Sequence, residues 1–195
     1  MKKQLERYFL IYSILFLSFL SNAQDSLKVY KWNEVKKANS DTVFAIDASG
    51  LKWDSLPKEL YRFTELKYLN ISKNKITNLP IELGQLKKME VFIANKNKIS
   101  NTPLFICQMP NLRRLLISRN QITRLPDCIG LLKKLAIIDI WDNPIAALPE
   151  DLVNCSSLRL VDLRGIMFNA KFQEKWTLAL PNVNWKFDPP CNCLD

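Results

Sequence analysis

Few residues in this 195-residue chain could do chemistry, and histidine is absent from the sequence. The chain therefore lacks both the usual general base for a serine or cysteine nucleophile and the commonest transition-metal ligand. The four glycines form no phosphate-binding loop, and the cysteines do not have the spacing of a zinc site. We predict a protein that is not an enzyme and that uses no metal or other cofactor.

One pair of acidic residues has a spacing that is compatible with catalysis. Asp139 and Asp162 fall on the same position of neighbouring copies of a repeat, which places them about 5 Å apart if the copies form adjacent strands. A retaining glycosidase tolerates that separation. Such an enzyme also needs a deep sugar-binding cleft, which a short open sheet does not provide. We therefore assign no catalysis to this pair.

The first residues have the features of an export signal. Lys2 and Lys3 precede an apolar run from Tyr8 to Leu20, and Ser21-Asn22-Ala23 offers small residues for cleavage. A membrane-spanning helix needs about 20 apolar residues, so an uncleaved anchor is the less favoured alternative. We predict a signal peptide over residues 1–23 and a mature protein in the periplasm, in the cell envelope or outside the cell, with no stable membrane span after cleavage.

The cysteines are odd in number, so at least one should stay free or pair between chains in an oxidising compartment. The five are Cys107, Cys128, Cys155, Cys191 and Cys193. The sequence leaves open whether Cys107 bonds to Cys128 and whether the last two form a C-terminal disulfide or tether. Cys155 occupies an apolar position of the repeat and is predicted to be a buried thiol.

A 23-residue repeat organises the chain. Its clearest copy is LKYLNISKNKITNLP, residues 66–80, and further copies begin at Met89, Leu112, Leu135 and Leu158. Stepping back by the same interval gives a degenerate copy beginning at Val43. We number positions from the first residue of each copy, so that Leu66 is position 1. Positions 4 and 6 alternate like the inward face of a strand, while positions 11, 14, 18 and 21 are apolar on the return path.

The pattern LxxLxLxxNxL followed by LPxxIxxLxxL resembles the leucine-rich-repeat family in its 23-residue form, over residues 43–168. The resemblance implies an α/β solenoid with about six short parallel strands on a concave face and irregular or 3-10 segments on the convex side. It also implies protein–protein recognition as the function. Caps should cover both ends: residues 24–42, with a strand over Leu27–Tyr30 and a helix over Trp32–Ala38, and residues 169–195, with a helix over Ala170–Leu178 and a closing strand.

Position 9 carries a column of asparagines, which in this family bond backbone groups of the turn and are structural. They are Asn74, Asn97, Asn120 and Asn143. The terminal copies have Leu51 and Ile166 instead, as expected for repeats that lack one neighbour.

Positions 3, 5 and 7 should point out of the sheet onto the concave face. They are predicted to form an exposed apolar strip that binds the ligand: Tyr68, Val91, Ile93, Leu116, Ile137, Trp141 and Leu160. Arg114 and Asp139 would orient that ligand. The competing interpretation is that these residues are present only because β-branched and aromatic side chains favour strands. Trp141 favours a binding site, because an exposed tryptophan is a common interface anchor.

Positions 8 and 10 should line one rim with positive charge. The rim residues are Lys73, Lys96 and Arg119 at position 8, and Lys52, Lys75 and Lys98 at position 10. They form either a solvated face or an attractive surface for an acidic partner.

The sequence thus predicts a non-catalytic module that binds a protein ligand on its concave face. The alternative is an envelope or adhesion element that binds an acidic glycan through the basic rim. Export argues against nucleic acid as a partner.

Overall fold

A computed structural model describes residues 28–35 and 37–191. The predicted signal peptide lies outside these residues, as does Cys193. The described chain forms one parallel sheet of eight three-residue strands arranged in chain order. The strands are β1 Val29–Lys31, β2 Ala45–Asp47, β3 Tyr68–Asn70, β4 Val91–Ile93, β5 Arg114–Leu116, β6 Ile137–Asp139, β7 Leu160–Asp162 and β8 Asn184–Lys186. Strands β2 to β7 are the six that the repeat predicts, and one strand from each cap, β1 and β8, joins the same sheet.

The return segments on the convex side are short 3-10 turns. Five of them directly follow a proline, and four of these prolines are extended, as at Pro80 and Pro126, whereas Pro103 is not. These turns are Lys58–Arg62, Ile81–Gln85, Leu104–Gln108, Asp127–Leu131 and Glu150–Asn154, and a shorter one spans Ser40–Thr42. A parallel sheet on one side and 3-10 turns on the other make the solenoid that the repeat predicts.

The core runs the whole length of the solenoid between sheet and turns. Within the second copy, Leu69, Ile71, Ile76, Leu83 and Leu86 are all fully buried. They occupy positions 4, 6, 11, 18 and 21, as predicted. Because each copy buries its apolar residues against its neighbours, the buried residues of successive copies join into one cluster.

Helices and aromatic rings close the two ends. At the first end, helix α1 Trp32–Val35 places Trp32 edge-on to Trp53, with ring centroids 5.0 Å apart. At the other end, helix α2 Ala170–Ala179 begins at Asn169, whose side chain accepts a hydrogen bond from the Phe172 amide at 2.9 Å. Trp176 of this helix is buried against Trp185 of β8, with ring centroids 5.9 Å apart. The cap tryptophans therefore help to pack the two ends of the solenoid.

Position 19 of the repeat controls how closely neighbouring turns approach. A Cβ on Gly130 would lie 2.5 Å from the backbone oxygen of Asp151 in the next turn, so a side chain there would collide with backbone. Cys107 occupies the same position one repeat earlier. It forms a disulfide with Cys128 of the next turn, with the two Cα atoms 5.7 Å apart. In this copy position 19 is not a glycine, and the disulfide links the two neighbouring convex turns instead.

Cys155 is a buried free thiol, as predicted. Its Sγ donates to the backbone oxygen of Ile129 at 3.2 Å. Burial raises the pKa of Cys155 to about 11, so this sulfur stays a protonated, unreactive thiol. Cys191 is part of a disulfide.

Two features are absent from residues 28–35 and 37–191. None of their helices is long and apolar enough to cross a bilayer. Their cysteine, aspartate and glutamate side chains form no cluster able to hold a metal ion.

Candidate binding surface

The asparagines at position 9 fix the turn between the sheet and the basic rim. Asn120 donates through Nδ2 to the backbone oxygens of Ala94 (3.0 Å) and Ile117 (2.9 Å), and its Oδ1 accepts from the Ile99 amide at 3.1 Å. Each bridge therefore joins groups of two neighbouring copies. Asn74, Asn97 and Asn143 make the same set of bonds in their own copies. These side chains are engaged by backbone and are not free to bind a ligand.

The backbone amide of position 7 also needs an acceptor, and in most copies the side chain two residues earlier supplies it. Asp139 Oδ1 accepts from the Trp141 amide at 3.2 Å, and Asn70 Oδ1 accepts from the Ser72 amide at 3.0 Å. Asp47 and Asp162 do the same for Ser49 and Arg164. A polar residue at position 5 is thus part of a local Asx turn.

Two central copies satisfy this amide in a different way. Their position 5 is Ile93 or Leu116, neither of which can accept a hydrogen bond. The preceding copy provides the acceptor instead: Ser72 Oγ takes the Asn95 amide at 3.1 Å, and Asn95 Oδ1 takes the Ser118 amide at 2.9 Å. This exchange of acceptors leaves position 5 free to be apolar in the middle of the concave face.

The concave strip is less exposed than the sequence predicts. Val91 and Leu116 retain 8% and 6% of their exposure, and Asp139 only 4%. The prediction that Val91 and Leu116 are exposed is wrong. Parallel strands in register lie about 4.8 Å apart, so side chains at positions 3 and 5 cover those of the neighbouring strands. Asp139 is also committed to the Trp141 amide, so a role in orienting a ligand has no support.

The other strip residues and Arg114 are half-buried and form what we call the concave floor. They are Tyr68, Ile93, Arg114, Ile137, Trp141 and Leu160. Partial burial raises the pKa of Tyr68 to about 12, with the Asp47 carboxylate adding to the rise. Burial also lowers the pKa of Arg114. The concave floor therefore presents apolar surface with a neutral phenol and one half-buried guanidinium.

Trp141 stands where the floor meets the rim. The Arg119 guanidinium lies over its indole, 4.2 Å from the ring centroid, and Arg119 Nε is 3.6 Å from Asp142 Oδ2. At the edge of the indole, a Cβ on Gly165 would lie 3.3 Å from Nε1. The indole is held between these groups and remains half-buried, so it is a preoriented surface side chain outside the core.

Position 8 has a left-handed backbone in every copy, a feature that the sequence analysis missed. The φ angle is +57° at Lys73, +58° at Lys96 and +55° at Arg119, whereas glycine occupies the same position in the end copies as Gly50 and Gly165. A residue with a Cβ in this conformation costs roughly 1–2 kcal/mol. The two terminal glycines were the signal that could have revealed it.

The positively charged side chains of the rim are all exposed, and we call them the basic ridge: Lys52, Lys73, Lys75, Lys96, Lys98 and Arg119. Partial burial lowers the pKa of Lys96, and the charges of Arg119 and Lys73 lower it further. Arg119 pairs with Asp142, but no carboxylate of the described residues forms an ion pair with Lys73, Lys75, Lys96 or Lys98. The ridge is a row of like charges that repel one another.

Lys96→Gly is expected to raise the free energy of unfolding by about 0.5–1 kcal/mol. Glycine removes the left-handed penalty and the charge repulsion, which together exceed the usual entropic cost of glycine. Urea denaturation measures the change. The matched control is Lys98→Gly, two residues away, where φ is not positive and glycine should destabilise. Equal losses in both variants would mean that the left-handed conformation of Lys96 costs nothing.

The comparisons with known proteins agree with this architecture. The profile of the family described as "Leucine-rich repeat region" matches residues 43–180. Among solved structures, a leucine-rich-repeat protein of Leptospira interrogans superimposes with a TM-score of 0.70 and 30% sequence identity. The match covers 75% of this chain but only 37% of that one. No curated protein matches the sequence. With a family match over well more than half of its length, the chain belongs to the leucine-rich-repeat family.

Proposed function

We propose that this protein is an exported, non-catalytic recognition module that binds a protein ligand on the concave face of its solenoid. Leucine-rich-repeat proteins are generally interaction modules, and both the family profile and the matching structure support that class here. The ligand and its place on the concave face are our proposal.

The exchange of hydrogen-bond acceptors at the central copies carries this proposal. In the outer copies, position 5 is polar because it must accept from the amide of position 7. Ser72 and Asn95 take over that task in the middle, so folding does not demand a polar residue there. The freed positions hold Ile93, which stays half-buried and reaches the surface, and Leu116, which lies beside it in register and is almost fully buried. Apolar surface at the centre of an open face, with polar positions around it, is the usual arrangement of a protein-binding site.

The disulfide supports export. Cys107 and Cys128 are bonded across two convex turns, and disulfides persist in oxidising compartments and are rare in the cytosol. This agrees with the signal peptide predicted over residues 1–23.

The state of the acid pair argues against a glycosidase. The Asp139 and Asp162 carboxylates lie in register on β6 and β7, and both are buried. Asp162 Oδ2 is 2.6 Å from Arg164 Nη2, and Asp139 accepts from the Trp141 amide. A buried carboxylate that is bound to a guanidinium is poorly placed to protonate or attack a substrate.

A matched pair of substitutions tests the concave site. Ile93→Asp changes the concave floor, and Ile81→Asp makes the same change on the convex side, where Ile81 is 49% exposed. We expect Ile93→Asp to weaken binding of the partner captured from envelope extract by roughly 30-fold, about 2 kcal/mol, as for an interface hot spot. Ile81→Asp should leave the dissociation constant unchanged. Surface plasmon resonance with the purified partner gives both values.

A second variant guards against a folding defect in Ile93→Asp. Trp141→Ala removes a half-buried surface side chain and should weaken binding by a similar factor, with little change in melting temperature. If both concave variants bind normally and Ile81→Asp does not, the binding face is the convex one and the proposal is wrong.

A further inference from the structure

We propose that Arg119, the last cation of the basic ridge, is a positioning residue that holds Trp141 in the orientation in which it anchors the protein ligand. This inference rests on the proposed function, because it concerns the same concave site. It gives Arg119 a role that the lysines of the ridge do not share. The register between copies, a stacked contact and the limited space around the indole support it.

The backbone brings position 8 of each copy beside position 7 of the next. The position 8 amide donates to the position 7 oxygen of the following copy, from Lys96 to Ser118 at 2.9 Å and from Arg119 to Trp141 at 2.8 Å. Across the copies, position 8 carries a single arginine and position 7 a single tryptophan. The ladder places these two residues together, whereas the lysines at position 8 lie beside asparagine or serine.

The Arg119 side chain is stacked on its neighbour. Its guanidinium carbon lies 4.2 Å from the centroid of the Trp141 indole, and Arg119 Nε is 3.6 Å from Asp142 Oδ2. Because Asp142 directly follows Trp141, its carboxylate draws the guanidinium toward the same turn. A planar guanidinium stacks on an aromatic face in a way that the ammonium of lysine cannot. The pair of Arg119 and Asp142 therefore restrains the indole.

Space at the edge of the indole is limited as well. Asp139 Oδ1 accepts from the Trp141 amide at 3.2 Å, which fixes the backbone. A Cβ on Gly165 would lie 3.3 Å from the indole Nε1, whereas a Cβ on the equivalent Gly50 would meet nothing within 4 Å. The close fit at Gly165 is thus particular to the copy that follows Trp141. An anchor that is oriented before binding loses less conformational entropy when its partner binds.

The order of the Trp141 indole tests the proposal without a ligand. NMR relaxation of the indole N–H, assigned with Trp141→Phe, measures its order parameter. The test variants are Arg119→Gly, which suits the left-handed backbone, and Arg119→Lys, which keeps the charge but not the planar group. We expect the order parameter of the indole to fall in both. The matched control is Lys96→Gly, which removes the same charge at position 8 of the preceding copy and should leave the Trp141 signal unchanged.

Affinity for the partner purified from envelope extract tests the consequence for binding. By surface plasmon resonance, Arg119→Gly and Arg119→Lys should each bind roughly fivefold more weakly, because the indole must then be ordered on binding. Lys96→Gly should change the dissociation constant by less than about twofold. In a Trp141→Ala background, Arg119→Gly should cause no further loss, since Arg119 acts through the indole.

The proposal is wrong if the order parameter of Trp141 is unchanged in Arg119→Gly, or if Arg119→Lys matches the wild-type protein in both measurements. Equal losses of affinity from Arg119→Gly with and without the indole would show that Arg119 contacts the partner directly. A loss in Trp141→Ala without a loss in Arg119→Gly would overturn the role of Arg119 and leave the concave site in place. Normal binding by Trp141→Ala and Ile93→Asp would instead remove the proposed function, and the anchor with it.

Discussion

Asn120→Ala should lower the free energy of unfolding by about 2 kcal/mol, because the buried Ile99 amide loses its acceptor and the oxygens of Ala94 and Ile117 each lose one of two asparagine donors. Asn120 Oδ1 is the acceptor for the Ile99 amide, and its Nδ2 serves the oxygens of Ala94 and Ile117. Alanine can replace none of these bonds, and the turn is closed to water. Equilibrium denaturation in urea, followed by circular dichroism, measures the loss.

Asn97→Ala is the control for that experiment. Asn97 makes the equivalent bonds to Ile76, Ile71 and Ala94, but it is half-exposed whereas Asn120 is buried. Water can reach the groups that Asn97 leaves behind, so its removal should cost about 1 kcal/mol. If the two variants lose the same free energy, burial of the turn does not set the cost.

The column of asparagines could be predicted from sequence because its cause is periodic. A residue that recurs at the same position of every copy meets the same backbone groups each time, so one copy explains the rest. The core positions were predictable for the same reason: Leu69 and Ile71 alternate as strand residues, and Leu83 and Leu86 return on the convex side. The fold follows from these periodicities.

Exposure on the concave face could not be predicted in the same way. The alternation of a strand shows that Val91 and Leu116 point away from the core. It does not show how far the neighbouring strands cover them, which depends on strand separation in three dimensions. The use of Ser72 and Asn95 as acceptors could not be predicted either. Each of these side chains bonds the backbone amide 23 residues later, in the next copy, instead of an amide of its own copy.

The caps show a further limit of periodicity. Val29–Lys31 and Asn184–Lys186 lie outside the repeat, yet they pair with β2 and β7 as parallel strands. Without them, the first and last strands of the repeat would expose unpaired backbone amides and carbonyls. Any such sheet needs its end strands to be paired or covered. Which residues do this, and in which register, is particular to this chain.

Removal of the Cys107–Cys128 disulfide should lower the free energy of unfolding by about 3 kcal/mol, since the bond closes a loop in the unfolded chain and so lowers its entropy. The two cysteines are separated by 21 residues. Cys107→Ala with Cys128→Ala is the test, measured by urea denaturation beside the wild-type protein with and without reductant. Reductant should destabilise the wild-type protein by about that amount more than the double variant, in which the disulfide of Cys191 is still present. Cys155→Ala separates this effect from loss of a thiol, because Cys155 is free and buried: it should respond to reductant as the wild-type protein does.

The same bond tests export, because a protein made in an oxidising compartment should yield a peptide that joins residues 107 and 128 on mass spectrometry without reduction. Free thiols at both positions in protein isolated from its native cells would remove the disulfide as support for export.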